Sequence, residues 1–197
     1  MIHLPGVLAA ASEVQDFCKT HGWRFCFIGG VAVQRWGNPR LTQDVDLTLR
    51  TGFGNEEEFI DVLLQAYTGR RPDARAFAIS RRVLLLRTAK AVDVDIALGA
   101  FPFEERSIAR ASEWPWDEGR SLITCSANDL LVHKVFAGRD RDWADVESVL
   151  ARQHGSLNLT LVRSELTPLL ELKGELDSLG KLDRMIATVE RRLRAKP

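Results

Sequence analysis

The sequence predicts a mixed α/β (α+β) protein, a sheet flanked by helices over residues 1–125 followed by a helical part over residues 126–197. Three observations carry this. Segments with a period of two, "DVDLTL" and "AVDVDIAL", alternate with helix-period segments in the first part. From Ser126 onward every apolar pattern has the helical period. No internal repeat, low-complexity tract or long Gly/Ser linker interrupts either part.

Taken in order, "VLAAASEVQDFCKTHG" has helical spacing and ends at Gly22, a C-terminal cap residue. "WRFCFIG" predicts a buried strand, and Val31 to Trp36 a short helix starting beside Gly30. "DVDLTL" is the next strand. "NEEEFIDVLLQAY" is an amphipathic helix with Asn55 as N-cap and carboxylates in its first turn. "AFAIS" and "RRVLLLRT" predict paired strands, and "AVDVDIAL" another. In the helical part, "SANDLLVHKVFAG" opens on a capping box, Ser126 with Asp129, and closes at Gly138. "DWADVESVLARQ" and "LTLVRSEL" are helical. Thr167-Pro168 predicts the start of a further helix, as N-cap and first helical residue. Leu182, Ile186, Val189 and Leu193 stripe the last one.

Composition narrows the class. Apolar residues make up 45% and charged residues 27% of 197, as in a soluble globular chain with enough material for a packed core. No stretch is long and apolar enough to cross a membrane, and the N-terminus lacks a basic leader. The expectation is a cytoplasmic protein. Cys18, Cys26 and Cys125 are odd in number and widely spaced, so they predict buried apolar residues rather than a disulfide framework or zinc site. His3, His21, His133 and His154 show no metal-ligand spacing. Net charge is zero, yet Arg70, Arg71, Arg75, Arg81, Arg82, Arg87 and Lys90 are opposed locally only by Asp73. A patch of that kind can follow a phosphate backbone, or be a solvated surface.

The acids carry the chemistry. Asp44 and Asp46 share one face of their strand, as Asp93 and Asp95 share one face of theirs. Carboxylates at such spacing repel, and beside apolar partners they are costly without cations. Their oxygens are hard donors, suited to Mg²⁺ or Mn²⁺. Gly29 and Gly30, without Cβ atoms, would let a phosphate approach the backbone at a helix start.

"IGG", thirteen residues, then "DVDL" resembles the signature of the DNA polymerase β-like nucleotidyltransferase superfamily. "RLTQDVDL" (40–47), "VDIALGAFPFEERSIARA" (94–111) and "DLLVHKVFAGRDRDWADVESVL" (129–150) resemble more narrowly the AbiEii/MenT toxin nucleotidyltransferases. The resemblance covers roughly residues 25 to 150, with the C-terminus matching only as a generic helical tail. It implies a nucleotidyltransferase fold and transfer of a nucleoside monophosphate from an NTP to RNA, foremost the tRNA 3′ end. It also implies toxin action restrained by a cognate antitoxin.

By the same resemblance Gly29 and Gly30 line a phosphate pocket, Asp44 and Asp46 bind metal, and Asp95 is the third carboxylate, with Asp93 its competitor. Lys134 contacts nucleotide phosphates, and Arg40 helps stabilise the leaving pyrophosphate. Asp142, with Asp145, either orients Lys134 or the nucleotide, or belongs to an exposed ion-pair ladder. Thr42 either bonds a phosphate, accepts a phosphoryl group, or simply favours a strand. Apolar residues surround Lys134 on nearly every helical face. Its ammonium therefore needs an anionic partner, a triphosphate or carboxylates, unless it snorkels to the surface. Trp114, Pro115 and Trp116 are expected to form an aromatic loop, packing between the two parts or stacking on a base. A small hydroxylated acceptor, a protein acceptor and a non-catalytic nucleotide-binding module are the alternative readings.

Overall fold

The computed structural model describes residues 4–195, so His3 lies outside the described residues. Chain contacts divide it into two compact units, one formed by the chain up to Val31 with Leu41–Cys125, the other by Ala32–Arg40 with the chain from Ser126 onward.

The first unit is built on a seven-stranded sheet of order β3-β4-β5-β2-β1-β7-β6. In chain order its elements are α1 (Leu4–Thr20), β1 (Phe25–Phe27), the start of α2 (Gly29–Trp36), β2 (Asp44–Arg50), α3 (Glu56–Ala66) and β3 (Thr68–Gly69). Then come α4 (Ala74–Arg81), β4 (Val83–Arg87), β5 (Asp93–Gly99), α5 (Pro102–Ala109), β6 (Ser112–Asp117) and β7 (Arg120–Thr124). The sheet is mixed: β2 runs parallel to β5 and β1 parallel to β7, while the other neighbours are antiparallel. The β2–β5 register pairs Val45 with Val94, Leu47 with Ile96 and Leu49 with Leu98. These residues are buried with Val7, Ala11 and Val14 of α1, so one face of the central strands is dry. The same register pairs Asp44 with Asp93 and Asp46 with Asp95. Alternation along each strand sends all four carboxylates to the opposite face.

The second unit holds α6 (Ala127–Ala137), α7 (Asp140–Arg152), α8 (Leu159–Lys173) and α9 (Asp177–Arg194). The Ser126 hydroxyl caps α6 by accepting from the Asp129 N–H at 3.1 Å, and Gly138 closes it in the left-handed conformation. Helices α7 and α8 pack on α6, and α9 packs on α7, with Leu182, Ile186 and Val189 as its buried stripe.

Several expectations need correction. "AFAIS" lies in a helix, α4, because Ala74, Phe77 and Ala78 recur at helical spacing and bury one side, while Ala76 and Ile79 face solvent. Thr167-Pro168 starts no helix. The Thr167 hydroxyl donates back to the Arg163 carbonyl at 2.8 Å instead of capping a downstream N–H, and α8 runs on through Pro168. Trp114, Pro115 and Trp116 form an edge strand, not a loop. The two tryptophans point to the same face and pack on the sheet core, and Pro115 falls where an edge strand tolerates a missing N–H. Asn55 occupies the N-cap of α3 without a side-chain capping bond. Cys18, Cys26 and Cys125 are buried, as expected.

Candidate active site

At the Gly-Gly turn β1 ends and α2 begins. Gly29 has φ +54, and a Cβ there would strike the Asp46 carboxylate; a Cβ on Gly30 would strike the Thr42 hydroxyl. The glycines therefore make room first for the protein's own side chains. The Gly30 N–H points at Asp46 Oδ2 from 3.4 Å, and the Ile28 N–H holds the Asp46 carbonyl at 2.9 Å. The turn is thereby fastened to β2 beside its acids. Thr42 is buried, and its hydroxyl donates to Asp44 Oδ1 at 3.0 Å. A kinase would reach that hydroxyl only if the loop opened.

On β5 the two acids differ. Asp93 has both oxygens occupied, Oδ1 by Arg87 Nε at 2.6 Å and Oδ2 by Arg70 at 2.9 Å. The Arg87 bond, with help from Arg70, holds its carboxyl below the usual range. Asp95 has Arg70 on Oδ1 only. Burial pushes its carboxyl upward, as do the neighbouring charges of Asp44 and Asp93, against the pull of Arg70. Asp44, Asp46, Asp93 and Asp95 bring four carboxylates to one face, and Arg70 and Arg87 pair with the two on β5. Asp44, Asp46 and Asp95 supply a hard oxygen set, the chemistry a divalent cation fits. Among the described residues, though, no three such ligands converge into a preformed cage. Arg70 holds Asp95.

The basic segment is largely neutralised by the protein itself. Arg71 bonds Asp73, Arg75 bonds Glu57 and Asp61, and Arg82 bonds Glu56 and the Leu98 and Gly52 carbonyls, besides the pairs of Arg70 and Arg87. Arg81 and Lys90 alone of this segment make no ion pair among the described residues.

In the second unit Lys134 does not snorkel. Its side chain is 7% exposed, and its ammonium sits 2.9 Å from Asp142 and 2.8 Å from Asp145. Asp145 also takes a two-point bond from Arg40, both contacts at 2.7 Å, and Asp142 takes Arg139 at 2.6 Å. For both acids burial pulls the carboxyl upward, but Arg139 and Lys134 on Asp142, and Arg40 and Lys134 on Asp145, outweigh it and leave the pKa lowered. Asp142 and Asp145 form a buried network, not an exposed ladder, and Arg40 is bound within it. His133 stays neutral at pH 7 because burial pushes it down to about 4. Sequence reasoning placed Arg70 in the basic segment and missed its position beside the acids; it stands 25 residues from Asp95, and no spacing rule connects them.

The family described as nucleotidyl transferase AbiEii toxin, type IV TA system, matches residues 16–192. The chain belongs to this family. The match extends well into the helical tail, which is therefore part of the family's own pattern. This AbiEii-family protein is a nucleotidyltransferase with a toxin's lineage. Its fold is that of nucleotidyltransferases. An antigenic nucleotidyltransferase-like protein from Paracoccidioides brasiliensis is similar at 13% identity and a TM-score of 0.52, over 90% of this chain and 93% of that one. The antibiotic-resistance factor ANT(2'')-Ia gives 12% identity and a TM-score of 0.45, over 96% and 95%. No curated protein matches the sequence. Among the described residues no helix is long and apolar enough to cross a membrane.

Proposed function

We propose that this AbiEii-family enzyme transfers a nucleoside monophosphate from an NTP to the terminal hydroxyl of an RNA, with the tRNA 3′ end as first candidate. The observation that supports it is the in-register pairing of Asp44 and Asp46 with Asp93 and Asp95 beside the Gly29–Gly30 turn. Divalent cations, Mg²⁺ or Mn²⁺, would be held by Asp44, Asp46 and Asp95. Bound there they would offset phosphate charge and favour ionisation of the attacking hydroxyl.

Asp95 is the third carboxylate because one of its oxygens is uncommitted, whereas both oxygens of Asp93 are used by arginines. It takes the proton as the acceptor oxygen bonds to the α-phosphorus and the bond to the bridging oxygen of the β-phosphate breaks, releasing pyrophosphate. N–H groups in the first turn of α2 beyond Gly30, whose own N–H points at Asp46, would be available to the phosphates. Lys134 has three N–H donors; Asp142 and Asp145 use two, which leaves one for a phosphate oxygen. Arg40 acts through Asp145, to which it is bound at two points, rather than on the pyrophosphate. Thr42 orients Asp44.

The family implies a cognate antitoxin as partner. Growth arrest on expression in the cytoplasm, relieved by co-expressed antitoxin and abolished by Asp46→Asn, supports toxin action. Harmless accumulation of active protein refutes it. The direct test incubates the protein with each α-³²P-labelled NTP and total tRNA, with Asp46→Asn alongside. Label in tRNA that depends on Asp46 supports the reading and names the base. Label only in a small hydroxylated acceptor or a protein transfers the activity to that acceptor, and NTP binding without any transfer identifies a binding module.

A further inference from the structure

Arg70 leaves β3, a strand of two residues at the edge of the sheet, with its backbone N–H fixed to the Leu85 carbonyl at 3.0 Å. Its guanidinium reaches Asp93 Oδ2 and Asp95 Oδ1 together, bridging the two acids on the carboxylate face of β5. Resting on the reading above, we propose that Arg70 is the resident counter-ion of Asp95, which a divalent cation must displace before the third carboxylate can serve the reaction.

Three features support a displaceable arginine. First, Asp93 keeps Arg87 when Arg70 leaves, so departure frees Asp95 without leaving Asp93 unpaired. Second, the Arg70 Nε is buried and makes no hydrogen bond, so the closed position carries an unsatisfied donor. Third, the side chains of Arg70, Asp93 and Asp95 are 21%, 29% and 34% exposed, which leaves the pair open to an entering ion. A guanidinium beside a carboxylate lowers its proton affinity by about one to three pKa units, roughly ten- to a thousandfold, and a metal ion competing for the same oxygens meets the same handicap. The bridge also explains why the acids do not converge into a preformed cage. Metal entry and departure of the Arg70 guanidinium from Asp95 are then one event.

The experiment is a titration of the full chain with Mn²⁺ alone, no nucleotide, comparing the unaltered protein with Arg70→Met, Arg87→Met and Asp46→Asn. Arg70→Met should bind Mn²⁺ about tenfold tighter or more, and Arg87→Met should change far less, since Arg87 touches Asp93 only. Unchanged or weaker binding by Arg70→Met overturns the proposal, as does an equal gain by Arg87→Met, which would reduce the effect to overall charge. If Asp46-dependent binding is present but indifferent to Arg70, the counter-ion role fails while the metal site stands. If no form binds Mn²⁺ through Asp46, both fall. Should Arg70→Met not fold, the unaltered chain decides: on Mg²⁺ saturation the Arg70 Nε–H resonance should shift and exchange faster with water. A resonance that stays put and protected at saturation refutes displacement.

Discussion

Both units place aspartates close together, but they settle the charge differently. In the second unit Asp142 and Asp145 are met by Lys134, Arg139 and Arg40, so each of these two buried carboxylates has two cationic partners. The network is closed, with a surplus of positive charge. In the first unit four carboxylates share one face of β2 and β5; Arg70 and Arg87 occupy both oxygens of Asp93 but Arg70 takes only one of Asp95. That network is open at Asp95. A closed cluster contributes to the fold, whereas an open one costs stability until something from outside completes it. The second unit's arrangement holds a helix pair together, whereas the first unit's has the chemistry that the proposed function assigns to a cation.

The sharpest way to break this comparison is Asp46→Asn. Transfer should fall by about 10²–10³-fold, yet the melting temperature should hold or rise, because one of several mutually repelling charges is gone. A large drop in melting temperature would mean the acid face is structural after all. Lys134→Met does the opposite experiment on the closed cluster. It strands two buried carboxylates on one arginine each and should cost about 2–4 kcal/mol in urea denaturation. An undiminished stability would show that the cluster is not closed by Lys134.

Gly29→Ala should cost about 1–3 kcal/mol, from the left-handed backbone and the clash with Asp46, and should lower NTP affinity with it. Affinity that drops without loss of stability would place the glycine's role in the ligand rather than in Asp46.

The smallest effect is in pH. Asp142 and Asp145 have lowered folded pKa values, so their contribution is complete above the unfolded value of about 4 and is lost as pH falls through the folded one. Asp95 is raised, which has the opposite sign: its cost is complete above its folded pKa and disappears below the unfolded one. With a chelator present, Asp95→Asn should therefore be more stable than the unaltered protein at pH 7, the gap closing towards pH 3. Parallel stability curves for the two proteins would refute the sign.

Much of the fold was readable because its signals are local. Strands β2 and β5 each open on Asp-Val-Asp, acid and apolar residue in alternation, and α6 carries both its caps in sequence. The errors come from short or ambiguous windows. Five residues of "AFAIS" fit either period, and only the spacing of Ala74, Phe77 and Ala78 over a longer window indicates a helix. Pro115 hid an edge strand, although Trp114 and Trp116 on one face, the "DEGR" turn and "SLIT" after it were the available signal. Pro168 looked like a helix start because proline is favoured there, but packing carried α8 through it.

The sequence by itself determined which residues carry charge, which strands present acids on one face, and where the Gly-Gly turn stands, since these depend on neighbours within a few residues. Only the tertiary structure decided which charges are left over. The partners of Asp93, Asp95, Asp142 and Asp145 include Arg70, 25 residues from Asp95, and Arg40, 105 residues from Asp145. Such pairings follow from how strands and helices come together, and the net charge remaining at each site is a property of that assembly.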